Sequence, residues 1–215
     1  MSSNNPKISV FTTCKNGGRF LRETLDSILS QTFTDFEIVL VDGASTDETI
    51  SILKEYEKDK RLRWISEPDT HVNEGFHKAI ALTKGDYLMC MPVSDGYLSK
   101  NWFEKCVHVL DNNPEISLVH GLPQTLDEDG SFQGISWGDF LSIPSVSPKD
   151  YLFFWLATRH MFCELTYCVR SKVYKKCFPP PDTKDYFEKH GAFLRFVFNF
   201  NINGYLPQFI TVVAS

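Results

Sequence analysis

The chain has 215 residues, 42% hydrophobic and 23% charged, a length and balance that suit one globular α/β domain with a proper buried core. Its net charge of -5 argues against nonspecific nucleic-acid binding as its main task. The longest apolar cluster, residues 151–157, falls far short of the ~20 residues a membrane helix takes, and the polar residues 1–7 carry no secretory signal.

In chain order, residues 7–12 predict a first strand, followed by a turn at Asn16-Gly17-Gly18. Phe20, Leu21, Leu25, Ile28 and Leu29 then fall on one face of a helix over 20–31. Residues 36–41 read as a second, buried strand. Ser45 or Thr46 caps the next helix, which carries Ile50, Leu53 and Tyr56. A short strand at 62–65, a helix at 75–83 and a core strand at 87–92 follow. Residues 102–112 are helical and stop at Asn113-Pro114. Strands at 116–120 and 122–126 precede the turn Asp127-Glu128-Asp129-Gly130. Alternating β and α segments imply a largely parallel sheet with helices on both faces.

After Gly130 the rhythm fails. Residues 143–148 read as loop, Phe178-Pro179-Pro180-Pro181 as an extended break, 192–200 as a short amphipathic helix and 204–213 as a last strand. Many of the 18 phenylalanines cluster after residue 150, which suggests a surface for something apolar, although core packing also accounts for them. The stop at Ser215 reads as a truncation or a shortened member of a longer family. The six cysteines, Cys14, Cys90, Cys106, Cys163, Cys168 and Cys177, form no CxxC pair and read as reduced thiols of a cytosolic protein.

Four segments carry the chemistry: ISVFTTCKN (8–16), FEIVLVDGASTDET (36–49), SEPDTHVNEGFHKAI (66–80) and GDYLMCMPVSDGYL (85–98). Three are strands running into polar turns with an acid, a hydroxyl or a glycine, and the other is a loop entering a helix. Strand ends converging with such groups suit a phosphorylated, hydroxyl-rich ligand. In this order and spacing the segments resemble the nucleotide-sugar-binding half of family 2 glycosyltransferases, and LTYCVRSKVY (165–174) resembles that family's later strand and helix. The resemblance implies a GT-A-type, Rossmann-like fold: a mixed, mainly parallel sheet flanked by helices. Residues 7–130 would form the nucleotide-sugar-binding half and 131–215 a small aromatic-rich acceptor portion of the same domain.

The same resemblance assigns roles. Thr12, Thr13 and Asn16 would lie beside base and ribose, where short hydroxyls and backbone amides are wanted. Asp42 would accept a hydrogen from base or ribose, with Gly43 and Ala44 keeping the backbone close, while Ser45-Thr46-Asp47 caps a helix. Asp69 would stand near the nucleotide edge, and Lys78 would neutralise a diphosphate. His71 and His77 lack a metal-ligand spacing and read as solvated. Ser94 and Asp95 occupy the place of the family's DxD or SDD signature, with Val93 and Gly96 where acids are expected. Asp95 alone would hold Mg²⁺ or Mn²⁺ through one carboxylate, with phosphates and waters. At the base motif, Lys189 and Gly191 stand where acids are expected, so the base falls to Glu188, with Asp185 nearby and His190 able to act at neutral pH. Glu164 either pairs with Arg159 or is functional.

The implied activity is inverting transfer of a sugar from a nucleotide-diphosphate-sugar to a glycan or lipid-linked acceptor, in surface polysaccharide or lipopolysaccharide synthesis. The expected location is cytoplasmic, with peripheral membrane contact. A catalytically impaired binding domain of the same fold is the competing reading. A nucleotidyltransferase has only Lys15-Asn16-Gly17-Gly18-Arg19 in its favour, and a dinucleotide oxidoreductase lacks GxGxxG after the first strand.

Overall fold

The computed structural model describes residues 5–70, 72–121, 124–127, 131–135, 167–177 and 208–211. His71, the 151–157 apolar cluster, Arg159, Glu164, Asp185, Glu188, His190 and the helix expected at 192–200 lie outside them. In chain order the elements are β1 (Ile8–Cys14), α1 (Gly18–Leu29), β2 (Phe36–Asp42), α2 (Thr49–Tyr56), β3 (Leu62–Ser66), α3 (Val72–Leu82) and β4 (Tyr87–Cys90). There follow α4 (Trp102–Asn112), β5 (Ile116–His120), β6 (Gln124–Leu126), β7 (Phe132–Ile135), β8 (Tyr167–Arg170), α5 (Ser171–Cys177) and β9 (Gln208–Thr211).

A seven-stranded sheet runs β3-β2-β1-β4-β8-β5-β9, and β6 and β7 form a separate antiparallel pair. β1 pairs in parallel with β2 and β4, β2 with β3, and β5 with β9. Among the described strands of this sheet only β8 runs against its neighbours, β4 and β5. The sheet is therefore mixed and mainly parallel, as expected.

Strand alternation sends side chains to two helical layers. Ile8 and Val10 join Leu21, Leu25 and Ile28 of α1, Ile52 and Leu53 of α2, and Phe103, Cys106 and Leu110 of α4 in one core. On the opposite face Phe11 meets Phe76 of α3 at 5.1 Å and Tyr174 of α5 at 5.6 Å between ring centroids. Gly17 gives α1 no side-chain cap. A cap contributes about 1 kcal/mol, whereas Leu21, Leu25 and Ile28, all fully buried, contribute about 1.5–3 kcal/mol each. Packing therefore decides that helix.

At the N-terminal end of the strands Glu37 joins neighbouring elements. Its Oε1 accepts from Ser9 Oγ at 2.7 Å and Lys84 N at 2.8 Å, and its Oε2 from Arg63 Nη2 at 2.6 Å. Burial opposes ionisation, but these donors outweigh it and hold the carboxyl below its usual range. Among the described residues Cys14, Cys90, Cys106 and Cys168 are not joined in disulfides.

Candidate active site

The strand order reverses beside β1: the chain steps outward through β2 and β3, then returns to place β4 on β1's other side. In open α/β sheets such a switch point leaves a crevice at the carboxyl ends of the strands. β4 pairs with β1 as far as Phe11↔Cys90, and Met91 N adds a bond to Phe11 O at 3.0 Å. β1 continues to Cys14, so Thr12 and Thr13 stand past the end of β4's pairing. Alternation puts Thr12 on the α1 side and Thr13 on the α3 side. Thr12 is buried, and its Oγ1 has no partner among the described residues.

Across the sheet edge Cys14, Asp42 and Ser66 share one row. Asp42 is fully buried. Its Oδ2 accepts from Ser66 Oγ at 2.7 Å and Ser45 N at 2.9 Å, while Oδ1 accepts from the Ser45 hydroxyl and from Cys14 Sγ at 3.5 Å. Burial and the adjacent Asp42 charge push the Cys14 thiol well up. Asp42 therefore locks three strand ends and the following turn.

The loops after β1 and β2 are zipped together. Asn16 N donates to Ser45 Oγ at 2.7 Å, and its Oδ1 accepts from Thr46 N at 2.9 Å. Asp47 takes Thr49 N at 3.0 Å on one oxygen and Gly18 N at 3.0 Å on the other. It thus caps α2 and serves the uncapped start of α1. The cap expected at Ser45 or Thr46 belongs to Asp47, because Ser45 is committed to Asp42 and Thr46 to Asn16. The side-chain hydrogen bond with Thr49 leads the causes that lower the Asp47 carboxyl.

Asp69 lies over this edge. A Cβ on Gly43 would stand 3.0 Å from both its carboxylate oxygens, and one on Gly75 would stand 3.2 Å from Oδ2 and 3.6 Å from Thr13 Cγ2. Thr13, Gly43, Asp69 and Gly75 thus form one tight group between β1, β2 and α3. Lys78 is held between Glu67 at 2.8 Å and Glu74 at 2.9 Å. Glu74 also accepts Thr70 N at 2.9 Å, and this bond leads the causes that lower its carboxyl to about 2. α3 begins at Val72, ahead of the expected Gly75. His77 departs from expectation: it is buried, 7% exposed, with its ring 6.5 Å from that of Phe76. Its position on the inner face of α3, not its polarity, decides this.

After β4 the chain turns through Ser94, whose φ is 106°. Asp95 follows, partly buried, and its carboxylate has no hydrogen bond to any described residue. Burial raises that carboxyl above its usual range. A carboxylate desolvated without compensation is the pattern expected of a site residue. The loop is instead anchored through its backbone to α1, where Thr24 Oγ1 donates to Asp95 O at 2.9 Å. The sequence reading missed Thr24, because a hydroxyl on an apolar helix face gives no signal of its own. Among the described residues no cluster of three or more His, Cys, Asp or Glu could hold a metal. The residues present fit a cation held by one carboxylate, with its other positions left to a diphosphate and water.

The profile of the family described as Glycosyl transferase family 2 matches residues 9–178. Chondroitin synthase of Escherichia coli is 27% identical over 135 residues, covering 61% of this chain but 20% of that protein. An uncharacterised glycosyltransferase of Methanocaldococcus jannaschii is 27% identical over 179 residues, 80% of this chain and 58% of that one. The chain thus spans a fifth of the synthase's length and somewhat over half of the archaeal relative's. S. aureus TarS in complex with UDP-GlcNAc superimposes with a TM-score of 0.72 at 18% identity, covering 96% of this chain and 56% of that one. The mannosyltransferase PcManGT from Pyrobaculum calidifontis, in complex with GDP-Man and Mn²⁺, gives 0.65 at 17% identity, covering 98% and 56%. These likenesses establish the GT-A-type fold. Among the described residues no helix is long and apolar enough to cross a membrane.

Proposed function

The chain belongs to glycosyl transferase family 2, and from that premise we propose that it moves a sugar from a nucleoside-diphosphate sugar to a hydroxyl of a glycan or lipid-linked acceptor, with inversion. The observation that carries this reading is Asp95: a partly buried carboxylate with no hydrogen bond to a described residue, at the sheet edge that also gathers Thr13, Gly43, Asp69 and Gly75. In this reading Thr12, Thr13, Asn16, Asp42 and Asp69 frame the nucleoside, and Ser94 and Asp95 face the diphosphate. Lys78 fits less well, since Glu67 and Glu74 already hold its ammonium.

In the transfer, the acceptor oxygen forms a bond to the anomeric carbon from the face opposite the diphosphate. The bond from that carbon to the β-phosphate oxygen breaks, and its electron pair leaves with the nucleoside diphosphate. A carboxylate takes the acceptor proton, a role assigned to Glu188, with Asp185 the alternative. A Mg²⁺ or Mn²⁺ ion at Asp95, when bound, neutralises charge on the departing diphosphate. The synthase relatives make surface polysaccharide synthesis the setting we favour, with the protein working at the cytoplasmic face of the membrane.

Hydrolysis of a panel of UDP- and GDP-sugars with Mn²⁺, followed by nucleoside diphosphate release, tests the reading. One donor is expected to turn over, and Asp95→Ala to lower its rate by about a hundredfold or more. The competing reading, a binding domain without transfer, is favoured by Val93 at the place of the first acid. Nucleotide binding with no hydrolysis or transfer of any donor would establish it instead.

A further inference from the structure

We infer that Thr24 and Ser27 of α1 are positioning residues that aim the Asp95 carboxylate. The inference rests on the proposed role of Asp95 at the cation and diphosphate. Thr24 is 1% exposed, and its single hydroxyl bonds two backbone groups of the loop, one on either side of the Ser94–Asp95 peptide. Its Oγ1 donates to Asp95 O at 2.9 Å and accepts from Ser94 N at 3.3 Å. One turn on, Ser27 Oγ accepts from Tyr97 N at 3.2 Å and donates back to Thr24 O at 2.8 Å. Past the end of α1, Gln31 Nε2 donates to Ser99 O at 2.8 Å, and its Oε1 accepts from Phe103 N at 3.2 Å. Positions 24 and 27 lie one turn apart on one edge of α1, so that edge and Gln31, just beyond the helix end, hold the loop from Ser94 to the start of α4.

Two further observations separate this arrangement from ordinary loop packing. Ser94 holds φ at 106°, a region that residues other than glycine keep only when their surroundings impose it. Thr24 supplies that constraint from both flanks. Gly96 lies so close to α1 that a Cβ there would stand 3.0 Å from Ser27 Oγ. Because no described side chain bonds the Asp95 carboxylate, the backbone that carries it is what sets where its Cα–Cβ bond points. Thr24 and Ser27 hold that backbone.

The test measures UDP binding to the full chain by calorimetry, with and without Mn²⁺, for the wild type, Thr24→Val, Thr24→Ser, Ser27→Ala and Asp95→Asn. Thr24→Val keeps the shape and removes the hydroxyl. It is expected to cut the Mn²⁺-dependent gain in UDP affinity by about tenfold while leaving metal-free affinity within about twofold. Thr24→Ser keeps the hydroxyl and is expected to retain the gain. Ser27→Ala is expected to lose about threefold of it, and it carries the test should Thr24→Val fail to fold. An unchanged Mn²⁺ gain in Thr24→Val or Ser27→Ala, alongside a loss in Asp95→Asn, overturns the positioning role alone. Equal losses with and without Mn²⁺ also overturn it, since they would report general damage. An intact gain in Asp95→Asn overturns both this inference and the proposed role of Asp95.

Discussion

Asn16, Ala44 and Ser94 hold φ at 54°, 57° and 106°, and each stands in a loop at the carboxyl ends of β1, β2 or β4. Such conformations cost on the order of 1–3 kcal/mol each and persist where neighbours impose them. Ser45 and Thr46 hold Asn16, the Asp42–Ser45 bonds hold Ala44, and Thr24 holds Ser94. Asp95 adds cost at the same edge, because burial alone raises its carboxyl. For a carboxyl raised in the folded state, ionisation opposes folding above the folded pKa, and the opposition fades as pH falls through it. Asp95→Asn is therefore expected to raise stability at neutral pH while losing the Mn²⁺-dependent binding described above. Screening at this partly exposed group keeps the gain below about 1 kcal/mol. Thermal melts of both proteins at pH 7 and near pH 3 check the sign: the variant's advantage should shrink in acid. A variant less stable than the wild type at pH 7 would show that Asp95 has a stabilising partner.

At the scale of elements, Glu37 joins β1, β2 and β3 to the turn before β4 through Ser9, Arg63 and Lys84 N. Its carboxyl is lowered from the ordinary value of 4.5, so its contribution is present above that value and is lost as pH falls through the lower folded value. Glu37→Gln is expected to cost roughly 1–3 kcal/mol at pH 7 and to flatten the loss of stability below about pH 4.5. Urea unfolding across that range measures both. The elements themselves were largely legible. α4 and β5 match their expected spans because Asn113-Pro114 punctuates them. β1 runs past Thr12 because Thr13 and Cys14 pair with Val41 and Asp42, a contact that no local pattern signals. The acids at strand ends were legible as site candidates. What Asp42 touches was not, since its bonds to Ser66 and Cys14 cross between strands. The His77 misreading has the same origin: burial depends on which face of α3 meets the sheet.

For the whole molecule, the decisive strand is β8. It arrives from residue 167 and runs antiparallel between β4 and β5, with Val169 opposite both Leu88 and Leu118. Cys168 and Val169 are fully buried. Arg170 reaches past the strand, donating from Nε to Ile116 O at 2.7 Å and from Nη2 to Leu110 O at 2.6 Å. Without β8, the β3-β2-β1-β4 half that carries the site and the β5 half share no ladder. Two interior strands would become open edges with unpaired backbone groups. A chain ending at residue 135, which removes α5 and β9 together with β8, keeps Thr12, Asp42, Asp69 and Asp95, yet it is expected to lose cooperative unfolding and to associate. Hydrogen exchange at Leu88 and Leu118 should rise toward unfolded rates, while β1 and β2, paired on both sides, keep more protection. A sharp melt within a few degrees of the full chain, with both amides protected, would show instead that the nucleotide-side half folds alone, so that the site's geometry owes nothing to the returning strand.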